Sequence, residues 1–159
     1  MPLTPGDQAP NFTAPTETGE KISLSDYKGD YIILYFYPKD DTPGCTTEAC
    51  AFRDHRDVFE SLNARIIGVS KDSVEKHEKF KNKYALPFPL VSDENGTICE
   101  EYGVWREKKM YGRTFMGIER TTFLIAPDGK IAAIWPKVKV AKHIDEIRQE
   151  LENLHTGTI

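Results

Sequence analysis

The longest apolar stretch of the chain is the unbroken run Tyr31-Ile32-Ile33-Leu34-Tyr35-Phe36-Tyr37, closed by Pro38. No polar position interrupts it, so a strand formed there is buried on both faces, which places it at the centre of a sheet. Arg65-Ile66-Ile67-Gly68-Val69-Ser70 has the same character and predicts a second buried strand. Between the two, after a polar loop from Pro38 to Gly44, the positions Cys45, Ala49, Phe52, Phe59 and Leu62 recur at helical spacing. They predict one helix from about Gly44 to Leu62. Asp72-x-x-Glu75 has the form of a capping box for a helix carrying Val74, His77, Phe80 and Tyr84, ended by Leu86-Pro87. Phe88 to Val91 predicts a short strand that Pro89 demotes toward a sheet edge or a strand end, and Thr97 to Tyr102 a short helix stopped by Gly103. Thr121–Ala126 and Lys130–Trp135 flank Pro127-Asp128-Gly129, a hairpin pattern. Ile144, Ile147, Leu151 and Leu154 predict a closing amphipathic helix. Upstream of the first long strand, prolines and glycines leave room only for short extended pieces. Asn11–Ala14 and Lys21–Leu24 form such a pair about the turn Thr16-Glu17-Thr18-Gly19-Glu20. This order of elements implies an α/β fold, a mixed sheet with a parallel part and helices on both faces.

A length of 159 residues is that of one domain, spanning 1–159, and 39% hydrophobic residues with 8 Phe, 7 Tyr and 2 Trp suffice for its core. Disorder of the whole chain is excluded. Lys and Arg number 21 against 25 Asp and Glu, for a net charge of -4, which argues against a nucleic-acid partner. No apolar run approaches the ~20 residues a membrane helix needs. The segment Met1 to Asp7 carries neither the basic nor the apolar region of a secretory signal, so a cytoplasmic location is expected. Three cysteines are too few and odd in number for a disulfide framework, and each is therefore reactive, metal-binding or simply buried.

Cys45 falls in the first turn of a predicted helix that follows the central strand. Unpaired backbone N–H groups and the helix dipole there stabilise a thiolate. Thr42 offers a hydroxyl three residues upstream, while Pro43 and Gly44 fix the loop and allow close approach of the backbone. The plain alternative is a small buried hydrophobe on the apolar stripe. Cys50 adds a geometric argument. In an intact helix its Cα would lie about 8 to 9 Å from that of Cys45 and point to another side. A disulfide needs Cα atoms within about 7 Å, so a Cys45–Cys50 bond requires the helix to unwind. Cys99 reads as a partly buried structural residue, with a backup resolving role as the alternative. His55, His77, His143 and His155 show no ligand spacing to the cysteines and read as solvated or helix-face residues. A zinc site from the three cysteines lacks a second paired ligand motif.

The segment Phe36-Tyr37-Pro38-Lys39-Asp40-Asp41-Thr42-Pro43-Gly44-Cys45-Thr46-Thr47-Glu48-Ala49-Cys50 resembles the active-site segment of the peroxiredoxins in its Pro-x-x-x-Thr-x-x-Cys form. Thr-Pro-Gly-Cys-Thr and the Cys-x4-Cys spacing are similar to the bacterioferritin comigratory protein, or PrxQ, subfamily. The likeness runs from Gly6-Asp7-Gln8-Ala9-Pro10-Asn11-Phe12 through Tyr102-Gly103-Val104-Trp105 to Gly117–Ile125. The resemblance implies a thioredoxin-like fold, a mixed central β-sheet flanked by helices with an N-terminal extension. It implies a peroxidase acting on hydroperoxide substrates, with Cys45 as peroxidatic and Cys50 as resolving cysteine. Arg120 would be the active-site arginine, Pro38 the shield of the sulfur, Thr42 a hydrogen-bonding partner of the peroxide, and Glu48 a polar partner of the arginine or substrate. Thioredoxin or a glutaredoxin would be the reductant, no metal, haem or flavin is required, and a monomer or weak dimer is expected. Two competing readings are a thiol-disulfide oxidoreductase, whose Cys-x-x-Cys this chain lacks, and a redox-dependent chaperone or sensor.

Overall fold

A computed structural model describes residues 2–156. A five-stranded sheet in the order β5-β4-β3-β8-β9 forms its centre. β3 (Tyr31–Phe36) is the apolar run and lies in the middle, parallel to β4 (Ala64–Ser70) and antiparallel to β8 (Thr121–Ile125). Leu34 faces Ile67 on one side and Phe123 on the other. β5 (Leu90–Ser92) joins β4 in parallel as one edge, and β9 (Ile131–Trp135) pairs antiparallel with β8 as the other. Pro89 stands just before β5, at the strand end, and β5 is an edge strand, so both placements the proline left open are realised. Gly129 closes the β8–β9 turn at φ +89, and Asp128 Oδ1 accepts from Lys130 N. The sheet is therefore mixed, as the order of elements implied.

Because side chains alternate along a strand, β3 feeds two separate cores. Ile32, Leu34 and Phe36 point to one face, and Ile33 and Tyr35, with Tyr37 just beyond the strand, to the other. The second face is covered by α1 (Pro43–Asp54), α2 (Arg56–Ser61), α3 (Val74–Tyr84) and α5 (His143–His155), which contribute Phe52, Phe59, Phe80, Ile147 and Leu151. The first face receives one short helix, α4 (Thr97–Glu101), together with the N-terminal segment and its small hairpin of β1 (Thr13–Pro15) and β2 (Lys21–Ser23). Helices thus lie on both faces, but unequally.

Three local expectations need correction. The helix foreseen from Gly44 to Leu62 is two helices, broken at His55, whose φ of -108 and ψ of 10 depart from helical values although its N–H still donates to the Ala51 carbonyl. Phe52 and Phe59, seven residues apart, keep their common face across the break, so periodicity alone does not reveal it. The cap of α3 is Ser73, whose hydroxyl accepts from Lys76 N, rather than Asp72. Residues 105–118, for which no element was foreseen, form a hairpin of β6 (Trp105–Met110) and β7 (Arg113–Ile118) that stands as its own two-stranded sheet.

Candidate active site

The loop after β3 carries the chain from the sheet to α1, and its shape follows from its side chains. Asp40 is buried. Its Oδ1 accepts from the Tyr37 hydroxyl at 2.6 Å, its Oδ2 lies 2.6 Å from His77 Nδ1, and its N–H donates to Asp72 Oδ2 at 2.8 Å. His77 Nε2 lies 2.9 Å from the Val91 carbonyl, which can only accept, so that nitrogen carries a proton. Asp41 adopts φ +57, a left-handed conformation that Asp tolerates. Its carboxylate accepts from Lys83 Nζ and the Tyr84 hydroxyl. Two successive aspartates therefore fasten the loop to α3. Asp40, Asp72 and His77 bring ligand atoms within 4.8 Å of one another, but each is engaged in this internal network.

Thr42 caps α1 in an extended conformation, and Pro43 occupies the first helical position, where a missing N–H is harmless. Thr46 N donates to Thr42 O at 2.8 Å and starts the helical ladder. Cys45 is the third helical residue and only 1% exposed. Glu48, three residues on, shares its side of the helix and is equally buried. Arg120 reaches both from the residue before β8, and Val138 N donates to its carbonyl at 2.9 Å. Arg120 Nη1 donates to Glu48 Oε1 at 2.6 Å and Nη2 to Cys45 Sγ at 3.3 Å. A Cβ on Gly44 would stand 3.2 Å from that same Nη2, so the glycine leaves the space the guanidinium occupies.

The electrostatics follow from burial. Desolvation raises the Glu48 carboxyl to about 7 against the opposing pull of Arg120. Burial also works against the Arg120 charge, but Glu48 and Cys45 outweigh it and raise its pKa. Arg120 stays charged and Glu48 is the member of the pair that titrates, since Glu48 Oε2 is buried with no hydrogen-bond partner among the described residues. The Tyr35 hydroxyl is likewise unpartnered, and Gly68 clears room for it: a Cβ there would meet the ring and hydroxyl at 3.0 Å.

The structure thus brings Cys45, Glu48 and Arg120 into one cluster. Thr42 Oγ1 donates to the Lys39 carbonyl at 2.8 Å, which leaves its lone pairs free to accept. Pro38 is half-buried at the start of the loop. Cys50 is a free thiol of intermediate exposure, on the same continuous helix as Cys45. Cys99 is fully buried, and burial followed by Asp93 pushes its thiol far up. Two histidines depart from their expected exposure. His77 is enclosed in the loop network, and His143 is buried against Phe52 and Trp135 with Nε2 2.8 Å from Thr122 Oγ1. Burial lowers the His143 pKa. Asp40, His77 and Asp72 were not foreseen as parts of the site. The Asp-Asp pair inside the loop was the one available sign.

A buried cysteine at a helix start, bridged by arginine to a carboxylate on a thioredoxin-like sheet, defines a cysteine-based peroxidase. Residues 5–134 match the AhpC/TSA family. A putative peroxiredoxin bcp from Coxiella burnetii is 54% identical over 147 residues, 92% of this chain and 97% of that protein. Peroxiredoxin Bcp from Bacillus subtilis is 52% identical over 154 residues, 97% and 98% of the two chains. Among solved structures, a cysteine-to-serine mutant of Xylella fastidiosa PrxQ superposes with a TM-score of 0.92 at 39% identity, covering 98% of this chain and 99% of that one. A Xanthomonas campestris bacterioferritin comigratory protein, described for its alkyl peroxide reduction activity, gives 0.85 at 41% identity over 90% and 91%. The chain belongs to the AhpC/TSA family and is a peroxiredoxin, a thiol-dependent peroxidase.

Proposed function

We propose that Cys45 is the residue oxidised, that Cys50 resolves it, and that the chain works as one domain reducing hydrogen peroxide and organic hydroperoxides in antioxidant defence. The observation that carries this reading is the Arg120 guanidinium, which holds Glu48 with one nitrogen and the Cys45 sulfur with another. The Cys45 thiolate attacks one peroxide oxygen, a sulfur–oxygen bond forms and the O–O bond breaks. The electron pair leaves with the distal oxygen, which takes a proton and departs as water or an alcohol. Negative charge shifts from sulfur to the departing oxygen in this step. Arg120 and the unpaired N–H groups of the first turn of α1 stabilise it along that path, as an oxyanion hole does, while the Thr42 hydroxyl, its own proton given to the Lys39 carbonyl, accepts a hydrogen bond from the incoming hydroperoxide. Glu48 orients Arg120, and Pro38 keeps water from the sulfur.

The product is a Cys45 sulfenic acid. The Cys50 thiolate attacks that sulfur, expels hydroxide and leaves a Cys45–Cys50 disulfide. Since Cα atoms five apart in a helix are about 8 to 9 Å distant, α1 unwinds locally for the bond to form. Thioredoxin or a glutaredoxin then returns both cysteines to thiols by exchange. All electrons come from thiols, so the cycle calls on no metal or flavin.

The test is to treat the fully reduced protein with one equivalent of hydrogen peroxide and map its thiols by peptide mass spectrometry. A Cys45–Cys50 linkage, absent in Cys45→Ser, is the expected result. A Cys45 that does not react overturns the assignment. A Cys45 sulfenic acid beside a free Cys50 thiol overturns the resolving role.

A further inference from the structure

Most large apolar side chains exposed on the described surface belong to one element. Met110 is 57%, Tyr111 97%, Phe115 44% and Met116 50% exposed, all on the β6–β7 hairpin; Val58 and Leu154 lie elsewhere. The same hairpin carries Arg106, Lys108, Lys109 and Arg113 against one carboxylate, Glu107, in a chain whose net charge is -4. Its base is fixed. Ile118 is buried, Glu119 N donates to the Val104 carbonyl, and Lys71 Nζ lies 4.1 Å from the centre of the Trp105 ring. Its tip turns at Tyr111 and Gly112, both at positive φ, and projects free of the central sheet.

The strand register sorts these side chains by face. Lys108 pairs with Phe115 and Met110 with Arg113, so all four lie on one face together with Arg106. That face lies beside the site, for Arg106 on it sits 3.5 Å from Glu119, the chain neighbour of the Arg120 that holds Cys45, and Lys108 is partly buried. Arg106 is engaged by Glu119, which leaves Lys108 and Arg113 as the cations a partner meets on this face, Lys109 lying on the other.

We propose that this hairpin is the docking surface for the protein dithiol that reduces the oxidised enzyme, a partner with an apolar face beside its reactive cysteine and carboxylates around that face. The inference rests on the peroxidase reading above and names the surface that its last step uses. A reductant must bring a thiolate into bonding distance of the Cys45–Cys50 disulfide. It attacks one sulfur to form a mixed disulfide and releases the other cysteine as a thiolate. The partner's second thiolate then breaks the mixed disulfide, two electrons have passed, and the partner departs as its own disulfide while the protons of its thiols pass to the released cysteines. Met, Tyr and Phe give such a short-lived encounter an adaptable apolar contact, and the cations steer an acidic partner toward it. A second copy of the chain is disfavoured, because a symmetric contact would bring together two hairpins that each carry an excess of positive charge.

The double variant Met110→Ser/Tyr111→Ser tests this, assayed with thioredoxin or glutaredoxin, whichever turns the wild type over, and in parallel with dithiothreitol. The expected result is a KM for the protein reductant about tenfold higher, the loss of one central apolar contact. The rate with dithiothreitol and the kcat/KM for hydrogen peroxide stay unchanged. In Arg113→Glu the KM for the protein reductant rises most at low salt. An unaltered KM in both variants overturns the proposal, as does an equal loss with dithiothreitol. Wild-type binding to anionic phospholipid vesicles that the Ser variant abolishes, with KM unmoved, overturns it in favour of a lipid surface. Concentration-dependent dimerisation lost in the same way overturns it in favour of a second copy. Turnover with dithiothreitol but with neither protein also overturns it. Absence of peroxide turnover even with dithiothreitol is the separate failure of the peroxidase assignment.

Discussion

Glutamine in place of Glu48 retains the volume of the side chain and an oxygen for Arg120 while removing the ionisation. The Glu48 carboxyl sits at about 7 in the folded protein against an ordinary 4.5, chiefly because burial disfavours its charge. A carboxyl whose folded pKa lies above its unfolded value binds its proton more tightly when folded. Its contribution to stability is therefore full below pH 4.5 and is lost as pH rises through 7. The difference of roughly 2.5 units corresponds to about 3 kcal/mol across that window. The assay is urea unfolding of wild type and Glu48→Gln from pH 4 to 8. Titrations common to both proteins cancel in the difference. Wild type is expected to lose about 3 kcal/mol relative to the variant as pH rises. A gap that stays flat, or wild type gaining on the variant with pH as a favourably ionised carboxylate would, refutes the burial argument.

Arg120→Lys keeps the charge but not two nitrogens held in one plane, so Glu48 and Cys45 are no longer bridged. The second-order rate with hydrogen peroxide, followed by stopped-flow fluorescence, is expected to fall about 10²- to 10³-fold. Gly44→Ala presses a methyl 3.2 Å from Arg120 Nη2. We expect a displaced guanidinium and a loss of about tenfold or more in the same rate, with little change in Tm. Asp40→Ala strands the Tyr37 hydroxyl and His77 inside the protein and should destabilise it by about 3 kcal/mol or more in urea. Asp40→Asn restores most of that, since its oxygen accepts from Tyr37 and its amide donates to His77 Nδ1.

The sequence speaks most plainly where one stretch of residues decides the outcome. β3 and β4 are apolar at nearly every position and can sit only in a sheet buried on both sides. Cys45 owes its place at a helix start to Pro43 and Gly44 beside it. The hairpin of β6 and β7 was illegible for the opposite reason. Arg106-Glu107-Lys108-Lys109 shows no alternation, and its outer part is exposed on both faces, so no buried side imposes one. The Tyr111-Gly112 turn was the one local sign. His77 was misjudged because its partner, Asp40, stands 37 residues away and lies in a different element. Helical periodicity says which face a histidine occupies, but not which carboxylate the fold delivers to it. The link from Arg120 to Cys45 spans 75 residues and became visible through family likeness rather than through any local pattern.

The division of the interior into two cores on opposite sides of β3 bears on how fast the enzyme recovers. Cys45, Ala49 and Phe52 of α1 all belong to one of these cores, and no residue of α1 belongs to the other. Loosening α1 to join Cys45 and Cys50 therefore strips side chains from one side of the sheet and leaves the opposite side assembled. Both flanks of the loosened stretch stay moored to α3, through Asp41 to Lys83 and Tyr84 and through Arg53 Nη1 to the Tyr84 carbonyl. Once the disulfide is reduced, a single helix re-forms on a ready template. That is a helix–coil event of about 0.1 to 1 μs rather than a search through the folding landscape. Recoiling of α1 is then far too quick to limit turnover, and any conformational delay in the cycle belongs to its loosening rather than to its repair.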